Sequence, residues 1–280
     1  MCCLSSWLRN GEGERVLQGF DVSQFSALGE TRDVYLRGEG PPVLVMHEMP
    51  GITPSVIRLA TRIADAGFAV RLPHLFGVVG RPFSVAYQAH QMTRACIGRE
   101  FAMLAKHEAS PIADWLRELG RSMHLSSDGA GIGAVGLCIT GNFALTLMVE
   151  PWLLAPVLSQ PALPLPMTDE HRGAMHASPA TLAAVKRRVK DDGVSVLALR
   201  FSHDILCPKV RFDALRNELG GGLIEIEIDS GPGNSHGLSR LAHSVLAHDF
   251  VDEAGHPTRE ALERVLTFLR ERLTGGASSV

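Results

Sequence analysis

The sequence predicts an α/β fold, a mostly parallel central sheet with helices on both faces. Two observations predict it: apolar runs alternate with amphipathic segments along most of the chain, and several of these runs are continuously apolar. A strand that helices cover on both faces shows this pattern, because neither of its faces meets water. The 280 residues, 45% of them hydrophobic, suffice for a sizeable core, and we predict one domain over residues 1–280.

The first β–α–β unit has the clearest pattern. Val43–Met46 is continuously apolar, which predicts a buried strand. Ser55–Ala66 follows with apolar residues at helical spacing, and Gly67 is a typical helix stop. Phe68–Leu72 then predicts the next strand, parallel to the first.

Later elements are assigned in the same way. Residues 84–125 are predicted to be mostly helical, with a helix that starts at Ser110-Pro111. The further predicted strands are 133–137, 153–158, 194–200 and 223–228, and the further predicted helices are 143–149, 178–190 and 259–273. Residues 223–228 alternate between apolar and acidic, which favours a position near the sheet edge. The Pro-rich segment 161–178 is predicted to be a lid-like insertion that lies over the sheet edge or the mouth of the site.

Composition excludes several classes of protein. A net charge of −3 and a pI near 6.5 give no field for binding nucleic acid or an anionic membrane. The five cysteines are an odd number without a Cys-x-x-Cys pair, so we expect neither a disulfide framework nor a metal site, and no cofactor. The N-terminus lacks a secretory signal pattern, and no apolar run reaches about 20 residues. We therefore expect a cytoplasmic protein with a small-molecule partner.

A candidate nucleophile lies between the predicted strand 133–137 and the helix behind it. Cys138 is flanked by Gly136 and Gly141, which allow the sharp turn that lifts a nucleophile clear of a sheet. The N-terminus of the following helix favours a thiolate, and an unperturbed cysteine has a pKa of about 8.5. The alternative at this point is a buried structural cysteine.

Two later loops supply the partners of a catalytic triad. Asp204 follows the apolar strand 194–200, and His236 lies in a turn-rich loop after the strand 223–228. An acid in such a loop orients a histidine, which in turn activates the nucleophile. The order nucleophile, acid, histidine is that of the α/β-hydrolases. The sequence therefore predicts a Cys138–His236–Asp204 triad and the α/β-hydrolase fold.

These residues resemble the dienelactone hydrolase (carboxymethylenebutenolidase) family, whose nucleophile is a cysteine. The resemblance runs from about Val43 to the final helix, and its specific points are Gly-x-Cys at Cys138, Asp-x-x-x-Pro at Asp204, His236, and Glu48 after the first strand. It implies hydrolysis of an ester or lactone. It also implies that Glu48 contacts the cysteine and helps to form the thiolate.

The resemblance further implies an oxyanion hole and a carboxylate-binding site. The backbone N–H groups of Met49 and Ile139 would stabilise the oxyanion. Arg240, four residues after His236, and Arg99 would hold a substrate carboxylate. Thr140 departs from the glycine usual in the family, and we expect its β-branched side chain to crowd the turn or narrow the pocket.

Other functions have weaker support in the sequence. Gly131–Gly136 satisfies a dinucleotide fingerprint, but its glycines precede or form the strand instead of opening a helix. His47-Glu48 begins a zinc-hydrolase pattern whose second histidine is replaced by Gly51. The alternatives that stay open are a general carboxylesterase or thioesterase, and a catalytically silent member that binds small molecules.

Overall fold

The computed structural model describes residues 17–93, 111–162, 173–175 and 177–275. Their strands form one sheet of eight, in the order β1-β2-β4-β3-β5-β6-β7-β8. The strands are β1 (Asp21–Ala27), β2 (Glu30–Arg37), β3 (Pro42–Met46), β4 (Ala69–Pro73), β5 (Ile132–Leu137), β6 (Leu153–Ser159), β7 (Val196–Phe201) and β8 (Leu223–Ile228). From β4 to β8 all neighbours are parallel, whereas β2 pairs antiparallel with both β1 and β4.

Helices cover both faces of the sheet. They are α1 (Pro54–Asp65), α2 (Val85–Thr93), α3 (Pro111–Leu125), α4 (Ile139–Thr146), α5 (Pro179–Asp191), α6 (Lys209–Leu219) and α7 (Pro257–Thr274). Successive residues of β3 face opposite ways: Leu44 packs into the core beside α3, α4 and α6, and Val43 packs into the core beside α1 and α7. Both faces are therefore buried, which explains the continuous apolar run and confirms the predicted fold class.

Most predicted elements are present, with small shifts at their ends. Residues 223–228 form the edge strand β8, as their alternation predicts. Trp115, Leu116 and Leu119 are buried along α3. Residues 94–110 lie outside the described part of the chain, as do 163–172 and 176 within the predicted insertion, so its role as a lid stays a prediction.

The sequence analysis missed the hairpin β1–β2 and the helix α6. β1 is mostly exposed: Phe25 and Ala27 pack against the core, and Phe25 meets Trp115 edge to face with ring centroids 5.4 Å apart. A strand this exposed has no apolar run to reveal it. The helix around residues 143–149 begins earlier than predicted, at Ile139, because the chain turns into the helix directly at Cys138.

The parallel strands bring the chemically interesting residues to one edge of the sheet. Glu48 follows β3, Cys138 follows β5, and Asp204 follows β7, each at the carboxyl end of its strand. Ligands of such sheets bind at this edge. No helix of the described residues combines the length and apolarity needed to cross a membrane.

Candidate active site

Cys138 occupies a sharp turn between β5 and α4. Its backbone has φ 55° and ψ −120°, and the residue is 6% exposed. A non-glycine residue at positive φ is strained, and such strain is typical of functional positions. Gly136 is required beside it, because a Cβ there would lie 2.2 Å from the Thr140 carbonyl oxygen. The strand–turn–helix geometry predicted for Cys138 is therefore present.

Thr140 does not crowd the turn, contrary to our expectation. Its side chain is fully buried and points toward the ends of the strands. The hydroxyl accepts a hydrogen bond from Leu137 N–H (2.8 Å) and lies within donating distance of the carbonyl oxygens of Met46 (2.8 Å) and Leu137 (2.9 Å). Thr140 thus ties the end of β5 to the end of β3, and its hydroxyl is the reason that a β-branched residue fits here.

Asp204 is paired with His243. The Nδ1–H group of His243 donates to Asp204 Oδ2 at 2.7 Å, and the aspartate side chain is only 1% exposed. The other oxygen, Oδ1, accepts from the backbone N–H groups of Leu206 (2.9 Å) and Cys207 (3.1 Å). Asp204 is therefore held in one orientation, and it fixes the ring of His243 through a short charge-assisted hydrogen bond.

His243 also interacts with the sulfur of Cys138. Its Nε2 is buried, and within the described chain it makes no hydrogen bond of normal geometry. Burial lowers the pKa of His243, but the nearby Cys138 sulfur and the hydrogen bond that His243 donates to Asp204 outweigh burial, so the net pKa lies well above 6.5. The environment therefore favours an imidazolium between the thiol sulfur and the carboxylate.

His236, the histidine predicted from the sequence, is not part of this cluster. It is exposed, and its ring packs on His256 with centroids 5.3 Å apart. Both histidines follow β8 in a long loop, so the order of residues alone could not choose between them. The signal that could have done so is local composition: apart from His243 and Ser244, residues 241–247 are all apolar, whereas Ser235 and Gly237 flank His236.

The loop that carries His243, residues 243–249, is held by a second aspartate. Asp249 Oδ2 accepts hydrogen bonds from the backbone N–H groups of His243 and Ser244, both at 2.9 Å. Val245, Leu246 and Ala247 on this loop are buried in the core. The histidine is thus placed by backbone hydrogen bonds and by packing, although its loop contains no helix.

Glu48 is buried near His243 but makes no hydrogen bond to Cys138 in the described residues. Its Oε1 accepts from the Ser244 hydroxyl (2.6 Å), and its Oε2 accepts from Gln160 Nε2 (3.1 Å). Burial raises the pKa of Glu48 to about 7, although both hydrogen bonds and the charge of His243 oppose this shift. The carboxylate–cysteine contact that the family resemblance implied is therefore replaced by contacts to Ser244 and Gln160.

His47, next to Glu48, has a structural role. It is fully buried, its Nε2 accepts from Leu75 N–H at 3.0 Å, and its Nδ1 therefore donates to the Glu48 carbonyl oxygen at 3.0 Å. Burial lowers its pKa to about 3, so the ring is neutral. The described part of the chain has no group of three or more His, Cys, Asp or Glu side chains able to hold a metal ion.

The two expected oxyanion donors lie at the ends of neighbouring strands. Ile139 is the first residue of α4, where a backbone N–H has no carbonyl partner within its own helix. Met49 lies in the loop after β3, and in the described structure nothing accepts a hydrogen bond from its N–H. Both residues are buried. They are available as donors, which is what an oxyanion hole requires.

The expected carboxylate-binding arginines are not supported. Arg240 is exposed, and the position four residues after His243 is Ala247. Arg99 lies outside the described residues.

A different arginine, Arg211 on α6, is 2% exposed and donates through Nη2 to Asn142 Oδ1. Its Nε and Nη1 find no partner among the described residues, which is rare for a buried cation. Burial lowers its pKa to about 10, so Arg211 is still charged near neutral pH.

Comparisons with known proteins agree with this architecture. Residues 31–273 match the sequence model of the dienelactone hydrolase family. A carboxymethylenebutenolidase from Rhodococcus opacus is 23% identical over 248 residues, which are 86% of this chain and 85% of that protein. A putative dienelactone hydrolase from Klebsiella pneumoniae subsp. pneumoniae MGH 78578 superposes with a TM-score of 0.57 at 14% identity, covering 90% of this chain and 99% of that chain. A dienelactone hydrolase-like promiscuous phosphotriesterase from metagenomic libraries gives 0.57 at 18% identity, covering 91% and 98%.

Three features together define an α/β-hydrolase. They are a mostly parallel sheet covered on both faces, a strained residue on the turn after a central strand, and an acid–histidine pair after later strands. Within that class the chain belongs to the dienelactone hydrolase family, because the family model spans most of its length. It is therefore a carboxylic ester hydrolase that acts on an ester or lactone bond, and its substrate is a small molecule.

Proposed function

We propose that the enzyme cleaves its ester or lactone bond with Cys138 as nucleophile, His243 as acid and base, and Asp204 as the residue that orients the histidine. The observation that carries this proposal is the 2.7 Å hydrogen bond from His243 Nδ1–H to Asp204 Oδ2, on a ring whose pKa the nearby Cys138 sulfur helps to raise. Nucleophile, base and orienting acid in this arrangement are the requirements of covalent catalysis.

In the first half-reaction the Cys138 thiolate attacks the carbonyl carbon, and a C–S bond forms. The negative charge moves to the carbonyl oxygen, where the N–H groups of Ile139 and Met49 stabilise it. When the intermediate collapses, the C–O bond breaks, and the imidazolium of His243 gives its proton to the leaving oxygen. A lactone would stay attached to the enzyme as an opened thioester.

In the second half-reaction water hydrolyses the thioester. His243, now neutral, takes a proton from the water, and the hydroxide adds to the thioester carbonyl. The C–S bond then breaks, which releases the carboxylic acid and restores the thiolate. Asp204 stabilises the imidazolium whenever it forms, because its buried carboxylate is fixed by two backbone donors.

Thiolate formation falls to His243 in this proposal, and not to Glu48. The raised pKa of His243 supports an imidazolium beside the sulfur, whereas the oxygens of Glu48 already accept from Ser244 and Gln160. Glu48 instead supplies negative charge near the imidazolium when it is ionised.

The substrate in this proposal carries a carboxylate, for which Arg211 provides the binding group. A buried guanidinium with two nitrogens that find no partner among the described residues is costly unless an anion pairs with it. Arg211 contacts Asn142, one helical turn beyond Cys138, and Asn142 Nδ2 donates to the carbonyl oxygens of Ile139 and Ala162 (both 3.1 Å). The guanidinium is thus linked to the residues around the nucleophile, and it replaces Arg240 as the expected anion site.

The test compares the two cysteines of the described residues. Cys138→Ala should lower hydrolysis of p-nitrophenyl acetate by at least about 10³-fold, because it removes the attacking atom. Cys207→Ala is the matched control, since Cys207 is also buried, but its thiol donates to the Pro161 carbonyl oxygen (3.3 Å). Burial also raises the pKa of the Cys207 thiol well above its usual value. Full activity in Cys138→Ala would overturn the proposal.

A further inference from the structure

Gln160 is a buried polar residue beside the nucleophile turn that the mechanism does not use. It follows β6, where the preceding residue, Ser159, accepts a hydrogen bond from Cys138 N–H (3.0 Å). Its own backbone N–H donates to the Leu199 carbonyl oxygen on β7 (2.7 Å). The residue is fully buried, and its backbone φ is 38°, a conformation that residues other than glycine rarely adopt. Strain of this kind persists only where surrounding contacts determine the conformation.

Those contacts come from three parts of the fold. Gln160 Nε2 donates to Glu48 Oε2 (3.1 Å), and Gln160 Oε1 accepts from Val245 N–H (3.3 Å). Oε1 also accepts from the Ser159 hydroxyl. One amide therefore joins the nucleophile's neighbouring strand, the loop after β3 and the loop that carries His243.

The hydrogen bonds close into a ring. Ser244 donates its hydroxyl to the other oxygen of Glu48 (2.6 Å), and Ser244 precedes Val245, whose N–H returns to Gln160. Ser244 directly follows His243. A ring of directional bonds that ends at the neighbour of His243 restricts where the imidazole can lie.

We propose that Gln160 is a positioning residue, which holds the His243 loop and Glu48 in register with Cys138 through this ring of hydrogen bonds. The inference rests on the proposed triad. An amide suits the position, because it donates to a carboxylate on one side and accepts from a backbone N–H on the other. A methionine of similar size would remove both polar groups from the ring, and a glutamate would replace the donor to Glu48 with a second carboxyl.

The first variant is Gln160→Met, which keeps the length of the side chain and removes both polar groups. We expect kcat to fall about 10- to 100-fold with KM within about threefold, because a displacement of about 1 Å between reacting groups has effects of this size. Gln24→Met is the matched control: the amide of Gln24 also donates to a carboxylate, that of Asp33 (3.0 Å), but on exposed strand β1. That variant should keep kcat within about twofold of the wild type, since surface substitutions have small effects.

The second variant, Gln160→Glu, supplies a readout that a purely structural role would not move. It keeps the acceptor for Val245 N–H but places a second carboxyl against Glu48. The other charged groups that affect the pKa of Glu48 are His243 and Asp249. While one proton is shared the ring stays closed, and when both carboxyls ionise they repel. The kcat of this variant, relative to the wild type at each pH, should therefore decrease from pH 6 to pH 8.

Thermal unfolding first establishes that the variants fold. A folded Gln160→Met enzyme with kcat within twofold of the wild type would overturn the inference. If Gln160→Met does not fold, the pH profile of Gln160→Glu decides: a profile like that of the wild type would overturn the inference. These failures differ from failure of the triad, because the triad is tested by the activity of Cys138→Ala, which contains an intact Gln160.

Discussion

Replacing one histidine at a time distinguishes the site in the structure from the site that the sequence suggests. His243→Ala removes the imidazole that is bonded to Asp204 at 2.7 Å, whereas His236→Ala removes an exposed ring that packs on His256. The two substitutions are chemically identical and lie in the same loop region. Any difference in activity therefore reports which imidazole takes part in the reaction.

The structure sets the size of the two effects. Loss of the general acid and base is expected to lower kcat/KM about 10³-fold, equivalent to about 4 kcal/mol of transition-state stabilisation. The substitution also leaves Asp204 Oδ2 without its donor, in a side chain that is 1% exposed. An unpaired buried acceptor of this kind costs about 1–3 kcal/mol of unfolding free energy.

The assay is release of p-nitrophenolate from a small ester, with urea unfolding measured on the same preparations. We expect a large loss of activity and a modest loss of stability in His243→Ala, and neither in His236→Ala. If His236→Ala is the inactive variant, or if His243→Ala keeps more than about a tenth of wild-type kcat/KM, the assignment drawn from the geometry is wrong.

Three further predictions test neighbouring parts of the site. Arg211→Met should lower kcat/KM about 10- to 100-fold for an ester that carries a carboxylate, and leave a neutral ester of equal size within about twofold, since charged hydrogen bonds contribute about 1.5–3 kcal/mol; equal losses for both esters would contradict the anion site. Burial raises the pKa of Glu48 from 4.5 to about 7, so its contribution to stability is fully present below pH 4.5 and is lost as the pH rises through 7. Urea unfolding of wild type and Glu48→Gln should show this: the wild-type free energy minus that of the variant falls by about 3 kcal/mol between pH 4 and pH 8, and a constant difference would refute it. Thr140→Val should destabilise the fold by about 1–3 kcal/mol in urea unfolding, because Leu137 N–H loses its acceptor, whereas unchanged stability would show that the hydroxyl contributes nothing.

Local patterns allowed much of the fold, and two residues of the proposed triad, to be predicted. The turn at Cys138 and the acid at Asp204 each depend on a few adjacent residues, an apolar strand followed by small or polar ones, so the sequence alone reveals them. The parallel core strands can also be predicted from the sequence, because burial on both faces requires a continuous apolar run.

The remaining features depend on contacts between distant parts of the chain. Arg211 looks like a surface charge at the start of a helix, and only its packing near Asn142, 69 residues away, shows that it is buried. The choice between His236 and His243 depends on the path of a loop, which hydrogen bonds from its backbone N–H groups to Asp249 determine. The polar strand β1 gives no periodic signal at all.

The most direct test of the central claim is peptide mass spectrometry of the acylated enzyme. The wild-type enzyme, in which His243 is present to form the thiolate, is mixed with an excess of an activated ester or a lactone and quenched in acid during turnover. We expect one acyl group on the peptide that contains Cys138 and none on the peptide that contains Cys207. An acyl group on any other residue, or turnover by the wild-type enzyme with Cys138 never modified, would contradict the claim.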